Sequence, residues 1–246
     1  MKEYIYSRNA VYETLRAKRR QVFQLLLAEG ANDRGRMAEI VTLAQQRKVP
    51  IQRVPRQRLD RIHEYHQGVV LEASGYPYRE LDDILELARS RSELPFVLLL
   101  DTLNDPQNFG ALIRTAEAVG VHGIVIPLAR TVDVTPAVVN ASSGASEHML
   151  VAQANLVQAM EELKAADVWI VGLDQDGETV TTASGRSPLS GALGLVVGSE
   201  GEGMRSLVKK SCDIILKLPM RGQIESLNAA VAGSVALYLA YLARNK

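Results

Sequence analysis

The hydrophobic positions of this chain switch repeatedly between helical and strand-like spacing. In NAVYETLRAKRR the apolar residues Ala10, Val11 and Leu15 share one helical face, and in GRMAEIVTLAQQRK Met37, Ile40, Val41 and Ala44 do the same. QVFQLLLAE predicts a strand between them, VPIQRVP a short strand between prolines, RQRLDRIHEYHQG a short helix running into a loop, and VVLEAS a closing strand. The opening MKEYIYSRNAVYETL reads as amphipathic structure. Residues 1–75 therefore predict a small α/β sandwich. GYPYRELDDILELARSRSELP opens on Gly and Pro and turns helical, so residues 76–94 read as a linker and the first helix of a second domain.

Residues 95–246 carry a different pattern. FVLLLD is apolar on every side, as a strand buried on both faces of a parallel sheet is. GIVIP, VWIVGLD, GLVVG and DIILKLP predict further strands. NLVQAMEELKAAD and the long SLNAAVAGSVALYLAYLARNK predict helices, and TPAVVNASSGASEHM holds a helix rich in small residues. Strands separated by helices predict an α/β domain with a mainly parallel sheet.

Charge sharpens this division. The formal net charge is +0, yet residues 1–75 hold 14 Lys and Arg against 8 Asp and Glu, and residues 95–246 hold 11 against 15. The basic excess suggests a polyanion-binding module, with Arg8, Arg16, Arg19 and Arg20 as candidate phosphate contacts. An ordinary solvated basic face explains the same excess. The single Cys212 lies beside an apolar strand and reads as a buried structural thiol. Four histidines without ligand spacing predict no metal site, and no Walker lysine or Ser/His/Asp order stands out. With no leader-like opening, the expected location is the cytoplasm, without a membrane partner.

Three loops at strand ends carry the candidate chemistry, where open parallel sheets collect their ligands. In NDPQNFGALIRTAEAVG, Asn108 is read as a helix cap, Gly120 as a left-handed terminator, and Arg114, in the second turn, as an arginine leaning back toward the anion-favouring helix end. A structural pair with Glu117 explains Arg114 equally well. VVGSEGEGM sets Gly198, Gly201 and Gly203 around Glu200 and Glu202. Its spacing is not a dinucleotide fingerprint, and a plain tight turn is the alternative. In LPMRGQIESLNAAVAG, Ser226 is read as the cap of a narrow helix with Asn228 in its first turn, and a buried core helix accounts for the helix body.

In this order the loops resemble the three motifs of the SpoU (TrmH-type) family of RNA ribose 2′-O-methyltransferases, within the SPOUT superfamily. The matching positions are Asn108, Gly110 and Arg114; then Gly198, Ser199, Glu200 and Gly201; then Pro219, Met220, Ser226, Leu227 and Asn228. SRNAVYETL and HQGVV resemble the L30e-like substrate-binding domain of the RlmB branch, which methylates a guanosine of 23S rRNA. Arg221 and Gln223 in the third loop, and NAAVA after it, depart from that branch's usual residues.

The resemblance implies a deep trefoil knot, and S-adenosylmethionine held largely by backbone around Leu173, Gly198, Leu218, Met220 and Leu227. It further implies a homodimer through the last helix, with ribosomal RNA as substrate. It assigns Arg114, Asn108, Glu200, Asn228 and Ser226 to catalysis. Because a guanidinium keeps its proton past pH 12, Arg114 is expected to grip a phosphate beside the target ribose instead of acting as a base. Asn108 and Asn228 would orient the hydroxyl and loop, with Glu200 steadying Arg114 or Asn108. A tRNA substrate, another rRNA nucleotide or a non-catalytic RNA-binding role stay open at this point.

Overall fold

The computed structural model describes residues 2–32, 34–180, 187–199, 201–223 and 226–245. They form two compact units, Met1–Pro77 with Asp133–His148, and Tyr78–Val132 with Met149–Lys246. The segment 133–148, read from sequence as part of the second domain, thus clusters with the first.

The first unit is built on a four-stranded sheet. Its elements are β1 (Lys2–Tyr6), α1 (Arg8–Ala17), β2 (Val22–Ala28), α2 (Arg36–Gln46), β3 (Ile51–Val54), α3 (Arg56–Asp60) and β4 (Val69–Ser74). The strand order is β1-β4-β2-β3, with β4 antiparallel to both neighbours and β3 parallel to β2. Successive side chains of β2 point to opposite faces, and Leu25 to Ala28 are all buried, so both faces are covered. Tyr6, Leu26, Ala28, Val54 and Val70 pack with Leu59 of α3 in one cluster. β1 is the element that the amphipathic reading of the first residues overlooked.

Within this unit the arginines divide. Arg8 and Arg16 are exposed. Arg20 is buried, its Nε donating to both carboxylate oxygens of Glu147 at 3.1 and 3.0 Å, and its Nη1 to Glu3 Oε2 at 2.6 Å. Half-buried Arg19 donates to Tyr76 Oη and to the carbonyls of Pro77 and Glu147. The expectation that Arg20 faces RNA is corrected: its buried guanidinium binds internal carboxylates, because a charge taken out of water needs such partners, whereas Arg19 keeps part of its surface exposed.

The second unit contains α4 (Leu81–Ser90), β5 (Phe96–Leu100), α5 (Pro106–Ala118), β6 (Gly123–Ile126), β7 (Leu150–Gln153), α7 (Leu156–Ala165), β8 (Trp169–Thr179), β9 (Leu193–Val197), α8 (Ser206–Lys210), β10 (Ile214–Lys217) and α9 (Ala229–Arg244); α6 (Pro136–Ala141) belongs to the first unit. All six strands are parallel, in the order β10-β8-β9-β5-β6-β7. One face buries Leu81 and Ile84 of α4 and Met160 and Leu163 of α7 against Val97, Leu99, Val125 and Val196. On the other, α9 packs on α5, and Gly233 permits it: a Cβ there would sit 2.7 Å from Leu112 Cδ2 and 3.2 Å from Val197 Cγ2. Cys212 is half-buried, and burial pushes its thiol pKa up to about 12, which keeps it protonated and a poor nucleophile. No helix among the described residues is long and apolar enough to cross a membrane.

Candidate active site

The carboxyl ends of β8, β9 and β10 and the turn before α9 enclose a cavity of about 1120 Å³. Leu173, Gly198, Leu218, Met220 and Leu227, the five expected cofactor contacts, all line it, as do Ser226 and Asn228. The sheet makes room by an irregularity. Ile215 of β10 faces Gly172 of β8 while the next residue, Leu216, faces Glu178. Residues 173–177 therefore bulge, and Leu173, Asp174, Gln175 and Asp176 reach the cavity wall.

The glycine loop closes on itself. Ser199 and Gly203 exchange backbone hydrogen bonds of 3.0 and 3.2 Å, and Gly201 and Gly203 have φ of 84° and 68°. A Cβ on Gly198 would lie 2.3 Å from the Gly203 carbonyl carbon and 2.4 Å from the Met204 nitrogen, both immovable backbone. Only glycine fits there. Glu200 lies outside the described residues.

A clasp that the sequence reading missed fixes the far end of this loop. Buried Asp101, directly after β5, accepts from Arg205 N and Nε, each at 2.7 Å. Its signal was available: a carboxylate closing a fully apolar strand has to find a donor. Asp174 and Asp176, also overlooked, each hold Lys209 Nζ at 3.0 Å. Those contacts, Asp174 first, raise the lysine's pKa.

Two helix starts differ from expectation. The cap of α5 is Asp105, which accepts from Gln107 N and Asn108 N, followed by Pro106 at the first helical position. Asn108 thus sits inside the first turn and is not the cap. The cap of α9 is Asn228, whose Oδ1 accepts from Ala230 N at 2.9 Å and Val231 N at 3.1 Å; Ser226 precedes it on the cavity wall. Gly120 terminates α5 at φ 77°, as expected.

The earlier start moves Arg114 to the third turn, eight residues and roughly 12 Å of rise beyond Pro106. Its Cα therefore lies one turn further from the bare N–H groups of the helix start than the sequence reading had it. Arg114 is exposed and is not among the cavity-lining residues. Asn108 is joined to them directly, since Asn228 Nδ2 donates to Asn108 Oδ1 at 3.1 Å. One side-chain amide thus ties the first loop to the third and caps α9.

A cavity at parallel strand ends, lined by leucines, by backbone and by both carboxylates and lysines (Lys209 and Lys217), suits a ligand that is part apolar ring and part zwitterion. S-adenosylmethionine is one: Leu173, Leu218 and Leu227 can flank an adenine, while the polar wall, where Lys209 pairs with Asp174 and Asp176, can face its amino-acid end. An open parallel sheet with such a cavity at its strand ends accommodates the class of S-adenosylmethionine-dependent methyltransferases.

Comparison with known proteins narrows the class. Residues 95–238 match the SpoU rRNA methylase family model, and residues 4–79 match the model for RNA 2′-O ribose methyltransferase substrate binding. YacO of Bacillus subtilis (strain 168), named a TrmH-family tRNA/rRNA methyltransferase, is 44% identical over 246 residues, covering 99% of this chain and 96% of its own. A tRNA/rRNA methyltransferase of Mycolicibacterium vanbaalenii is 40% identical over 239 residues, covering 96% of this chain and 74% of that one. The fold resembles AviRb of Streptomyces viridochromogenes in complex with AdoMet, with a TM-score of 0.79, 22% identity and coverage of 98% and 90% of the two chains. The chain belongs to the SpoU/TrmH family of RNA 2′-O-ribose methyltransferases and uses S-adenosylmethionine.

Proposed function

We propose that the enzyme methylates the ribose 2′-hydroxyl of a guanosine in 23S rRNA, working as a cytoplasmic homodimer of knotted domains. The observation that carries the site assignment is the Asn228–Asn108 hydrogen bond, which sets the first-motif helix against the cavity rim. The cofactor brings a methyl group already activated on a sulfonium. Leu173, Gly198, Leu218, Met220 and Leu227 hold it, and the Asp101–Arg205 clasp keeps the glycine turn shut beside it. The chain's remaining task is to bring a poor nucleophile in line and to favour its developing negative charge. Arg114 grips the phosphate next to the target ribose and lowers the cost of that charge, while Asn108, Asn228 and Ser226 orient the hydroxyl and Glu200 steadies Arg114 or Asn108. A phosphate oxygen or water takes the proton.

A separate basic unit matching a substrate-binding model favours a large folded RNA. For the dimer, Val231, Val235, Tyr238 and Leu242 form one exposed apolar stripe on α9, the width of a helix-packing seam. The relatives named for both tRNA and rRNA make tRNA the second reading. Labelled methyl transfer to 23S rRNA and to bulk tRNA separates them. Arg114→Lys, keeping charge but losing the forked grip, is expected to lower transfer at least 100-fold with cofactor affinity within about twofold. Arg114→Ala at the wild-type rate would sink the assignment.

A further inference from the structure

We propose that the amino-terminal unit carries a stacking site for an unpaired nucleobase, made by Tyr65 and His63 over Tyr6 with Arg8 at its rim. The proposal rests on the RNA-methylating reading above and adds where, and in what form, the RNA is held.

Two short segments build the site. One is the β1–α1 corner with Tyr6 and Arg8; the other is the 61–67 loop that follows α3. The His63 ring lies on the Tyr6 ring at a centroid distance of 3.7 Å and an interplanar angle of 10°. Tyr65 follows at 5.6 Å from His63, tilted by 48°, and is 62% exposed. The loop is fastened at several points. Buried His66 accepts from Gly68 N at 2.8 Å and shares a 2.9 Å bond with Asp60. Gln67 accepts from Arg8 twice, its Oε1 from the backbone N at 3.0 Å and its carbonyl from Nε at 3.2 Å. Tyr65 N donates to His63 Nδ1 at 3.2 Å, which fixes the imidazole plane and leaves its proton on Nε2 in the neutral ring.

The core needs Tyr6, which is buried, and a cover over its ring, which His63 supplies. Nothing in that packing calls for Tyr65, a large aromatic held in water on a fastened loop. The surroundings select its occupant. Exposed Arg8, Arg56, Arg58 and Arg61 outnumber the exposed Asp60 and Glu64, and Asp60 is already engaged by His66. Aromatic rings on a loop tied to Arg8 through Gln67, and following an arginine-rich helix, match a base whose phosphate runs alongside, the arrangement by which single strands are held without sequence readout. Inside paired RNA both faces of each base are covered by its neighbours, so the site selects a loop, a bulge or an unpaired end.

The test uses the full-length chain and a fluorescein-labelled 12-nucleotide oligoadenylate, with a blunt duplex of the same length as the control. Tyr65→Ala is expected to weaken oligoadenylate binding about 5- to 100-fold, and Tyr65→Phe to stay within about twofold. The salt slope should be unchanged in Tyr65→Ala and shallower by about one phosphate in Arg8→Gln. The chain has one tryptophan, Trp169. In a Trp169→Phe background, Tyr65→Trp is expected to be quenched by the oligoadenylate and not by the duplex. Equal binding by wild type and Tyr65→Ala, equal quenching by duplex, or no quenching would each overturn the stacking site. None of these outcomes touches methyl transfer, whose absence with every RNA would instead overturn the function it rests on.

Discussion

Glu147→Ala removes the carboxylate that faces Arg20 inside the amino-terminal unit, and its cost can be worked from the contacts. The Arg20 and Glu147 side chains have no exposed surface, and Glu3, the second partner, is 20% exposed. Burial, the largest influence, works against the guanidinium's charge, but the fields and hydrogen bonds of Glu147 and then Glu3 outweigh it, and the pKa ends above its ordinary value. Stranding one member of a buried pair costs about 3–5 kcal/mol. Glu3 and the Ser74 carbonyl, 2.9 Å from Nη1, remain in the variant, so the lower end, about 3 kcal/mol, is expected. Urea unfolding followed by circular dichroism reads it directly. The double substitution Arg20→Met with Glu147→Leu should recover most of the loss, because matched apolar residues avoid desolvating two charges. A loss below about 1 kcal/mol in Glu147→Ala, with RNA affinity falling instead, would refute the structural role and return Arg20 to the phosphate-binding surface.

Gly198→Ala should leave the fold intact by circular dichroism yet weaken S-adenosylmethionine at least tenfold by calorimetry, since the new methyl meets backbone at 2.3 Å; unchanged affinity would mean that the turn does not shape the cavity. His122 is buried, accepting from Phe96 N at 3.0 Å and facing Glu93 at 3.0 Å. Burial, only partly offset by Glu93, lowers its pKa in the folded chain. The unfolded chain therefore binds the extra proton first, and stability should fall as pH drops from about 6.5 toward the depressed value. A His122→Gln variant should show a flatter stability profile across that window; an identical slope would assign the effect to other groups.

The parts of the fold legible in the sequence are those written in local pattern. The apolar runs at 96–100 and 193–197 announce buried parallel strands, and the glycines at 198, 201 and 203 announce a turn that other residues cannot make. What escaped depends on short elements or distant partners. Lys2–Tyr6 opens on two charged residues and runs into the helix pattern of α1, and Leu150–Gln153 directly follows the small-residue stretch TPAVVNASSGASEHM without a Gly or Pro between them, so neither strand is set off by its neighbours. Asp105 was passed over as a cap although Pro106 beside it marks a helix start, and that misplacement carried Arg114 one turn too near the helix end. Arg20 looked like one more surface arginine because Glu147 stands 127 positions away. The three site loops could be seen one by one; the Asn108–Asn228 bond and the Asp101–Arg205 clasp that assemble them could not.

The most direct test supplies methyl-labelled S-adenosylmethionine and 23S rRNA to the enzyme and hydrolyses the product in alkali. A ribose methylated at the 2′-oxygen cannot assist cleavage of its own phosphodiester, so the label is expected in an alkali-resistant dinucleotide whose 5′ nucleoside is guanosine. It should be lost in Arg114→Ala. Label recovered in ordinary mononucleotides, carried on a base, would contradict the account.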